Sequence, residues 1–308
     1  MTRMSLNRGW RSSPSGQDKC PVDRSVLPDV LNLILDHVWV LPRRMQLQCS
    51  EPEMTVPLLR GVWGRQIHDR CLQLYRQVFD VPSQGGAVAN SPLYLLRPAP
   101  PDPEWAPAIE YFLFCSAIEH SHQLDVCWEA AGRAGIGRSR LPFQISRAEF
   151  LLPDGSTSEH GGSWPVSAAR WPLPADRPCK LVFPSPVRIR RDNRLVSAPT
   201  LADLVAAFNR RVAGFLPARY HDLWRSVGAM CVALAKDIPQ RPWQGERLDL
   251  VRYSARQRAD LELQGVTGEL ALPRGPQELA PLIAAMQWLH VGKSTVMGLG
   301  QPLVAPLE

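Results

Sequence analysis

The order of predicted secondary-structure elements constrains the fold of this chain more than any other feature of its sequence. Residues 43–152 predict strand, helix, strand, strand, helix and strand, and the first strand alternates polar and apolar residues over Arg43–Cys49. Residues 179–308 predict the same order again, with one added helix over Tyr220–Lys236. This βαββαβ order is typical of the ferredoxin-like fold. We therefore expect an α+β protein built from two tandem ferredoxin-like (RRM-like, βαββαβ) domains.

Breaks in this pattern divide the chain into four segments. We expect an N-terminal extension over 1–42, a first domain over 43–152, a linker or long loop over 153–178, and a second domain over 179–308. Within these domains the sequence predicts a helix from Pro57 to about Phe79, a helix over 201–215 with Thr200 as its N-cap, and a closing strand over 295–304.

Composition and cysteine spacing exclude several classes of protein. Hydrophobic residues make up 45% of the chain and charged residues 21%, which is ordinary for a globular protein. No apolar stretch approaches the ~20 residues of a membrane span, and the polar, basic N-terminus does not resemble a secretory signal. The seven cysteines are scattered and form no CxxC pair, which argues against a zinc site or a disulfide framework. We expect a cytoplasmic protein with no membrane association, no metal and no cofactor.

Positive charge is concentrated in the second half. Residues 180–258 contain 15 Lys and Arg against 6 Asp and Glu, whereas the rest of the chain contains 20 against 23, and the whole chain carries +6. Only four of the 35 cationic residues are lysine. Arginine suits phosphate because its planar fork donates two hydrogen bonds to one anion. A GC-rich genome would also explain the high arginine content, but it would not explain the clustering.

A glycine-rich segment over 290–300 is the most specific motif. Its Gly292-Lys293-Ser294 resembles the end of a nucleotide-binding P-loop, but that motif needs a glycine where Gln287 stands, and it needs a helix where a strand is predicted. We therefore exclude an ATP site. What remains is a loop whose bare backbone can approach phosphates, assisted by Lys293. The alternative is a tight connection between helix and strand with no ligand.

These motifs together resemble a known family. The segment Arg252–Gln257, the pair Gly265 and Gly268, and the loop ending in Gly298-Leu-Gly300 resemble the CRISPR repeat-RNA-processing endoribonucleases of the RAMP superfamily, which have tandem ferredoxin-like folds. The family's loop has the form GxG, five residues, GxG. Gly292, Gly298 and Gly300 match this form, and His290 stands in place of the first glycine. The resemblance implies that residues 179–308 form the RAMP domain that carries the glycine-rich loop.

The resemblance implies a function. It implies a metal-independent endoribonuclease that binds the repeat hairpin of precursor CRISPR RNA and cuts at the 3′ base of the hairpin by 2′-OH attack. The products would be a 2′,3′-cyclic phosphate and a 5′-hydroxyl, and the enzyme would stay on the mature guide RNA with other CRISPR effector subunits. One alternative is a subunit that binds guide RNA without cutting it. Another is a ferredoxin-like protein unrelated to RNA.

Candidate site residues follow from this chemistry. Cleavage needs a base, an acid and a cation near the phosphate, and histidine titrates closest to working pH. His68 is our first candidate for the catalytic acid or base, because its position is similar to that of the family's catalytic histidine. The alternative is that His68 is a partly exposed helix residue with no catalytic role. His290 is the second catalytic candidate, and His221 is the third, with a residue at a helix N-terminus as its alternative. Tyr253 would supply a phenol near the scissile phosphate, with packing in a strand as its alternative. The candidate RNA-binding residues are Arg60, Arg65, Arg188, Arg190, Arg191, Arg252, Arg256, Gly292, Lys293, Gly298 and Gly300.

Overall fold

The first half of the molecule contains a complete ferredoxin-like unit. A computed structural model describes residues 24–49, 54–79, 91–105, 107–254 and 259–307, without the side chains of 250–263. The elements of the first half, in chain order, are α1 (Leu27–Leu35), β1 (Trp39–Cys49), α2 (Val56–Arg70), α3 (Leu72–Val78), β2 (Tyr94–Pro98), β3 (Ala108–Phe114), α4 (Ser121–Ala134), β4 (Phe143–Leu151), β5 (Thr157–Ser158) and β6 (Trp164–Pro165).

The second half repeats this architecture. Its elements, in chain order, are β7 (Cys179–Val187), β8 (Arg190–Arg191), β9 (Arg194–Leu195), α5 (Leu201–Ala213), α6 (His221–Asp237), β10 (Gln244–Ser254), β11 (Ala259–Leu272), α7 (Ala280–Leu289) and β12 (Leu303–Pro306). The first sheet has the order β2-β3-β1-β4 and the second β10-β11-β7-β12, with all neighbours antiparallel. In both sheets the first strand lies between the third and the fourth, which confirms two tandem ferredoxin-like folds.

Helices α2 and α4 cover one face of the first sheet. Trp63 of α2 is fully buried there, stacks on Trp128 of α4 at 4.8 Å, and lies edge-on to Tyr111 of β3. Its indole Nε1 donates a hydrogen bond to the Leu124 carbonyl. Burying such large aromatic groups supplies most of the stabilisation of a small unit.

The opposite face of the first sheet packs against helices of the second half. Phe114 of β3 lies 5.0 Å from Phe215, and Phe112 lies 6.1 Å from Trp288 of α7. Trp164 of β6 meets Trp288 edge-on at 4.6 Å. One apolar core therefore runs through both halves and holds them in a defined relation.

The first strand and the first helix differ from the sequence prediction. The strand begins at Trp39 rather than Arg43. Val40 faces the shared core and Leu41 faces the first-half core, so both faces of this end are apolar and the sequence shows no alternation there. The helix expected over 57–79 breaks at Cys71, whose backbone is extended. The break turns α3 back so that Phe79 packs against Gly64, where a Cβ would come within 2.6 Å of the ring.

Two further segments depart from expectation. The stretch expected to be a linker over 153–178 is packed, because β6 pairs with β1 and Trp164 is buried in the shared core. The closing strand is shorter than the predicted 295–304. Thr295–Met297 forms a 3₁₀ turn whose Val296 and Met297 pack into the first-half core, and β12 follows it. The N-cap prediction is confirmed, since Thr200 and Asp203 form a reciprocal capping box.

Candidate functional site: a cationic cleft beside the glycine-rich loop

A cleft of ≈ 620 Å³ opens between the two halves. The glycine-rich loop, the β8–β9 hairpin and the end of α5 form its walls on the second-half side, and Ser91 and Pro92 contribute from the first half. Its charged lining residues are Arg188, Arg190, Asp192, Arg210, Arg211 and Lys293. Among the described residues, no ion pair involves Arg190, Arg210 or Lys293. Their charges therefore remain available to an external anion.

Arg188 fixes the floor of the cleft. Its side chain donates to the Gln264 carbonyl over 2.7 Å and to Ser294 Oγ over 2.6 Å. Its carbonyl accepts the backbone N–H of Lys293 at 2.9 Å. Burial and the neighbouring Arg190 lower the pKa of the Arg188 guanidinium. Of our RNA-binding candidates, Arg188 is thus the one that joins the glycine-rich loop to β11.

The loop backbone is left-handed at every position of the family motif. The φ angles are +61° at 290, +91° at 292, +79° at 298 and +74° at 300. A Cβ at Gly292 would lie 2.6 Å from the Arg188 carbonyl oxygen, and one at Gly298 would lie 2.8 Å from Cβ of Arg97. Only glycine fits these two positions without displacing its neighbour.

His290 occupies the position where the family motif has its first glycine. Its φ of 61° and ψ of 165° fall in a region that is nearly restricted to glycine and costs a side-chain-bearing residue about 1–3 kcal/mol. Its ring is fully buried, with Nδ1 3.1 Å from the Leu299 carbonyl and Nε2 3.1 Å from Arg97 Nη1. Burial, Arg97 and Arg211 hold the pKa of His290 well below its ordinary value. In this conformation neither ring nitrogen faces solvent.

Arg97 belongs to a row of alternating charges across the first sheet. Arg97, Glu110, Arg44 and Glu149 are successive cross-strand neighbours on β2, β3, β1 and β4. Arg97 Nε donates to Glu110 over 2.5 Å, and Arg44 Nη2 donates to the other oxygen of the same carboxylate over 2.8 Å. The side chain of Glu110 is 1% exposed. A buried carboxylate is tolerated here because two guanidinium groups pair with it.

Arg211 reinforces the contact between the halves. It lies on α5, donates from Nε to the Leu289 carbonyl, and packs against the Phe215 ring at 5.1 Å. Burial lowers the pKa of Arg211 to about 9. Its own carbonyl accepts a hydrogen bond from the hydroxyl of Ser91. The floor of the cleft is therefore rigidly built, whereas its exposed cations lie at the rim.

His68 lies outside the cleft lining, on the last turn of α2. Its side chain is 54% exposed, and its Nδ1 lies 3.2 Å from Asp69 Oδ1. If Nδ1 donates to this carboxylate, Nε2 is left as an acceptor. Tyr75 meets the ring edge-on at 5.2 Å. This arrangement provides an accessible, oriented imidazole.

The two candidate arginines near His68 differ in their surroundings. Arg65 is exposed and pairs with Asp69 at 3.5 Å, one helical turn away. Arg60 is half-buried, donates to the Tyr94 hydroxyl over 2.5 Å and lies over the ring of Phe79. Arg60 is thus engaged within the first half, and Arg65 is the more accessible of the two.

The remaining candidates in the described part of the second half lie on strands β8 and β10. Arg190 and Arg191 are exposed on β8, and Arg191 pairs with the capping residue Asp203. Arg252 and Tyr253 lie on β10, but their side chains are outside the described residues, as is Arg256. Within the described ranges, no three His, Cys, Asp or Glu side chains are grouped to hold a metal ion. No described helix is long and apolar enough to cross a bilayer.

Sequence reasoning did not find the charge row. The one signal available was Glu110, a single charge inside the otherwise apolar strand Ala108–Phe114. A lone buried charge requires a partner, but its partners lie on two other strands and are 13 and 66 residues away.

Comparisons with solved structures establish the class of the fold. The chain is similar to "Thermus thermophilus Cas6 (TTHB231)" at 14% identity and a TM-score of 0.54, and to "Cas6 (TTHB231) product complex" at 14% and 0.57. It is also similar to "Cas6 (TTHA0078) product complex" at 18% and 0.53. Each likeness covers 87% of this chain and 99% of the other. No curated protein matches the sequence. The fold is thus that of the tandem ferredoxin-like proteins.

A protein-family model matches part of the second half. Residues 181–302, which include the glycine-rich loop and most of the second sheet, match the family model "CRISPR-associated endoribonuclease Cas6". The second half of the chain is therefore similar to that family, over about two fifths of the full sequence.

Proposed function

We propose that this chain binds the repeat hairpin of precursor CRISPR RNA and cuts it at the 3′ base of the hairpin to give mature guide RNA. The observation that carries this proposal is the cationic cleft beside a left-handed glycine-rich loop, in a chain whose residues 181–302 match the Cas6 family model. Glycine backbone allows close approach of phosphate, and exposed Arg190 and Lys293 supply charge at the rim.

The proposed reaction needs no metal ion. The 2′-oxygen attacks the adjacent phosphorus as a base removes its proton, and the bond to the 5′-oxygen breaks as an acid protonates that oxygen. The products are a 2′,3′-cyclic phosphate and a 5′-hydroxyl. His68 is our candidate for the acid or the base, because its ring is accessible and Asp69 lies within hydrogen-bonding distance of Nδ1. Tyr253 remains a candidate for a second proton donor.

The RNA stem would be held by shape and phosphate contacts rather than by its base edges. The proposed contacts are Arg190 and Arg191 on β8, Lys293 in the loop, Arg252 on β10, and Arg256, which lies outside the described residues. Arg65 would extend this surface towards His68. Gly292, Gly298 and Gly300 would shape the loop, and Arg188 and Arg60 would hold their own elements in place through the hydrogen bonds described above.

The second candidate function is a guide-RNA-binding subunit that does not cut. One observation favours it: no histidine lines the described part of the cleft, and both ring nitrogens of the second candidate, His290, are engaged inside the protein. In either case we propose that the protein stays on the mature guide RNA with other effector subunits, in the cytoplasm. We also propose the division into 1–42, 43–152, 153–178 and 179–308 as the domain boundaries, with the first boundary moved to Trp39 because β1 begins there.

A cleavage assay in EDTA separates these functions. Labelled repeat RNA is incubated with wild type, His68→Ala and His160→Ala, an exposed histidine of the same half that has no proposed role. We expect wild type and His160→Ala to cut and His68→Ala to lose at least about 100-fold in single-turnover rate, the usual contribution of a general acid or base. Binding without cutting by wild type would overturn the enzyme proposal. Full cutting by His68→Ala would overturn only the role of His68.

A further inference from the structure

The His290 side chain closes the glycine-rich loop on itself. The carbonyl of Leu299 can only accept a hydrogen bond, so the proton of the neutral ring lies on Nδ1. This bond connects the first position of the loop motif to the residue between its last two glycines. The Val291 N–H donates to the Gly300 carbonyl over 2.8 Å beside it. The two ends of the loop are thus joined through side chain and backbone together.

The other ring nitrogen connects the loop to the first half. Arginine can only donate, so Nε2 of His290 accepts from Nη1 of Arg97. The same Nη1 also donates to the Gln287 carbonyl over 3.0 Å, at the end of α7. Arg97 therefore contacts both the helix that leads into the loop and the first residue of the loop motif.

Arg97 is itself held in one orientation by the first sheet. Its Nε bonds to Glu110, its guanidinium lies 4.7 Å from the centre of the Phe112 ring, and Gly298 of the loop packs against its Cβ. Since Arg44 holds the other oxygen of Glu110, the carboxylate cannot turn away without leaving a buried charge unpaired. The orientation of Arg97 is therefore preorganised before any ligand binds.

We propose that Arg97 and His290 are positioning residues that hold the glycine-rich loop in its RNA-binding conformation and fix it relative to the first half. In this chain the Arg97–His290–Leu299 clasp replaces the backbone freedom that glycine gives the family at the first position of the motif. The proposal rests on the proposed function in one respect, namely that the loop contacts RNA. Neither residue touches the RNA itself.

Hydrogen exchange and RNA binding test this proposal together. The variants are Arg97→Ala, His290→Gly and the double variant, with Trp164→Phe as a control that perturbs the same core between the halves but does not touch the loop. For each protein we measure the exchange of loop amides over 290–300, the thermal midpoint, the RNA affinity and the single-turnover cleavage rate.

We expect each single variant to raise loop exchange and to weaken RNA binding at least about tenfold. The double variant should bind RNA no more weakly than Arg97→Ala alone, because either single variant already removes the contact between the two side chains. Arg97→Lys should restore part of the affinity, because lysine still donates to His290. Unchanged loop exchange in both single variants would overturn the proposal. It would also be overturned if the loss of RNA affinity were proportional to the fall in thermal midpoint in every variant, including Trp164→Phe. If wild type fails to bind repeat RNA, the proposed function fails, and the exchange data still decide whether the clasp positions the loop.

Discussion

Arg97 donates a hydrogen bond to Nε2 of His290 over 3.1 Å, and this contact connects β2 of the first sheet to the glycine-rich loop of the second half. Neither side chain is exposed to bulk water, and Arg97 also pairs with Glu110. The loop is therefore oriented by side chains of the first half as well as by the chain that precedes and follows it. A tandem fold with one shared core gives such a contact a fixed geometry.

The buried His290 predicts that stability falls as the solution becomes acidic. Its pKa in the folded state lies well below 6.5, the ordinary value, because of burial, Arg97 and Arg211. Below about pH 6.5 the unfolded chain binds a proton at this residue and the folded chain does not, so its contribution to stability is complete above that pH and is lost towards the folded pKa. We expect His290 to contribute a slope of up to about 1.4 kcal/mol per pH unit in this window.

Urea unfolding of wild type and His290→Gln at a series of pH values from 7.5 to 5 measures this slope. Glutamine does not titrate, so the difference in unfolding free energy between the two proteins should shrink as the pH falls below about 6.5. His160→Gln, at an exposed position, is the control for the substitution itself and should leave the stability at pH 7.5 unchanged. Parallel pH profiles for wild type and His290→Gln would show that His290 does not titrate differently in the folded state.

Two glycine-to-alanine variants, one in the glycine-rich loop and one in a helix, should change the stability in opposite directions. Gly298 has a φ of 79°, and a Cβ there would lie 2.8 Å from Arg97 Cβ, so Gly298→Ala should destabilise the protein by about 1 kcal/mol or more. Gly61 lies in α2 with no atom within 4 Å of a new Cβ. Gly61→Ala should therefore stabilise by about 0.5–1 kcal/mol. Urea midpoints at constant m-value provide the measurement, and equal shifts in the same direction would contradict the loop geometry.

The fold could be predicted from sequence because its signals are local. Alternation in strands, proline at helix starts and Thr200 with Asp203 at the start of α5 each act within a few residues. The packed segment 153–178 could not be predicted, because its short strands pair over only two residues each and leave no period. The start of β1 at Trp39 could not be predicted, because the first residues of the strand are buried on both faces and one of these faces packs against the second half.

The candidate site was less predictable, because it depends on contacts between the halves. The glycine pattern indicated a loop with an unusual backbone, and the left-handed φ angles agree with it. The sequence did not show that the histidine at the first motif position is buried, because its partner Arg97 is 193 residues away. The roles of His68, Tyr253 and the exposed arginines stay predictions, since they concern contacts with an RNA.

Replacing the buried Glu110 with glutamine should cause a large loss of stability. Glu110→Gln keeps the shape of the side chain but removes the charge that Arg44 and Arg97 share. Loss of one member of a buried ion-paired group costs about 3–5 kcal/mol, since the remaining charge is left unpaired. The matched control is Glu129→Gln, whose partner Arg133 is one helical turn away and exposed, and which should stay within about 0.5 kcal/mol of wild type. A loss of similar size in both variants would show that the row of charges is not a coupled unit.

The exposed cations of the cleft predict a specific change in the salt dependence of RNA binding. Each phosphate contact that is lost should reduce the slope of log K against log salt by about 0.7–0.9. Arg190→Ala and Lys293→Ala each remove one rim charge that has no ion pair among the described residues, so each should lower the slope by about one contact and the double variant by about two. Arg133→Ala removes an exposed arginine on α4, away from the cleft, and should leave the slope unchanged. Fluorescence anisotropy with labelled repeat hairpin at 50 to 300 mM salt provides the measurement. A slope that falls equally in all three single variants would mean that net charge alone, rather than the cleft, attracts the RNA.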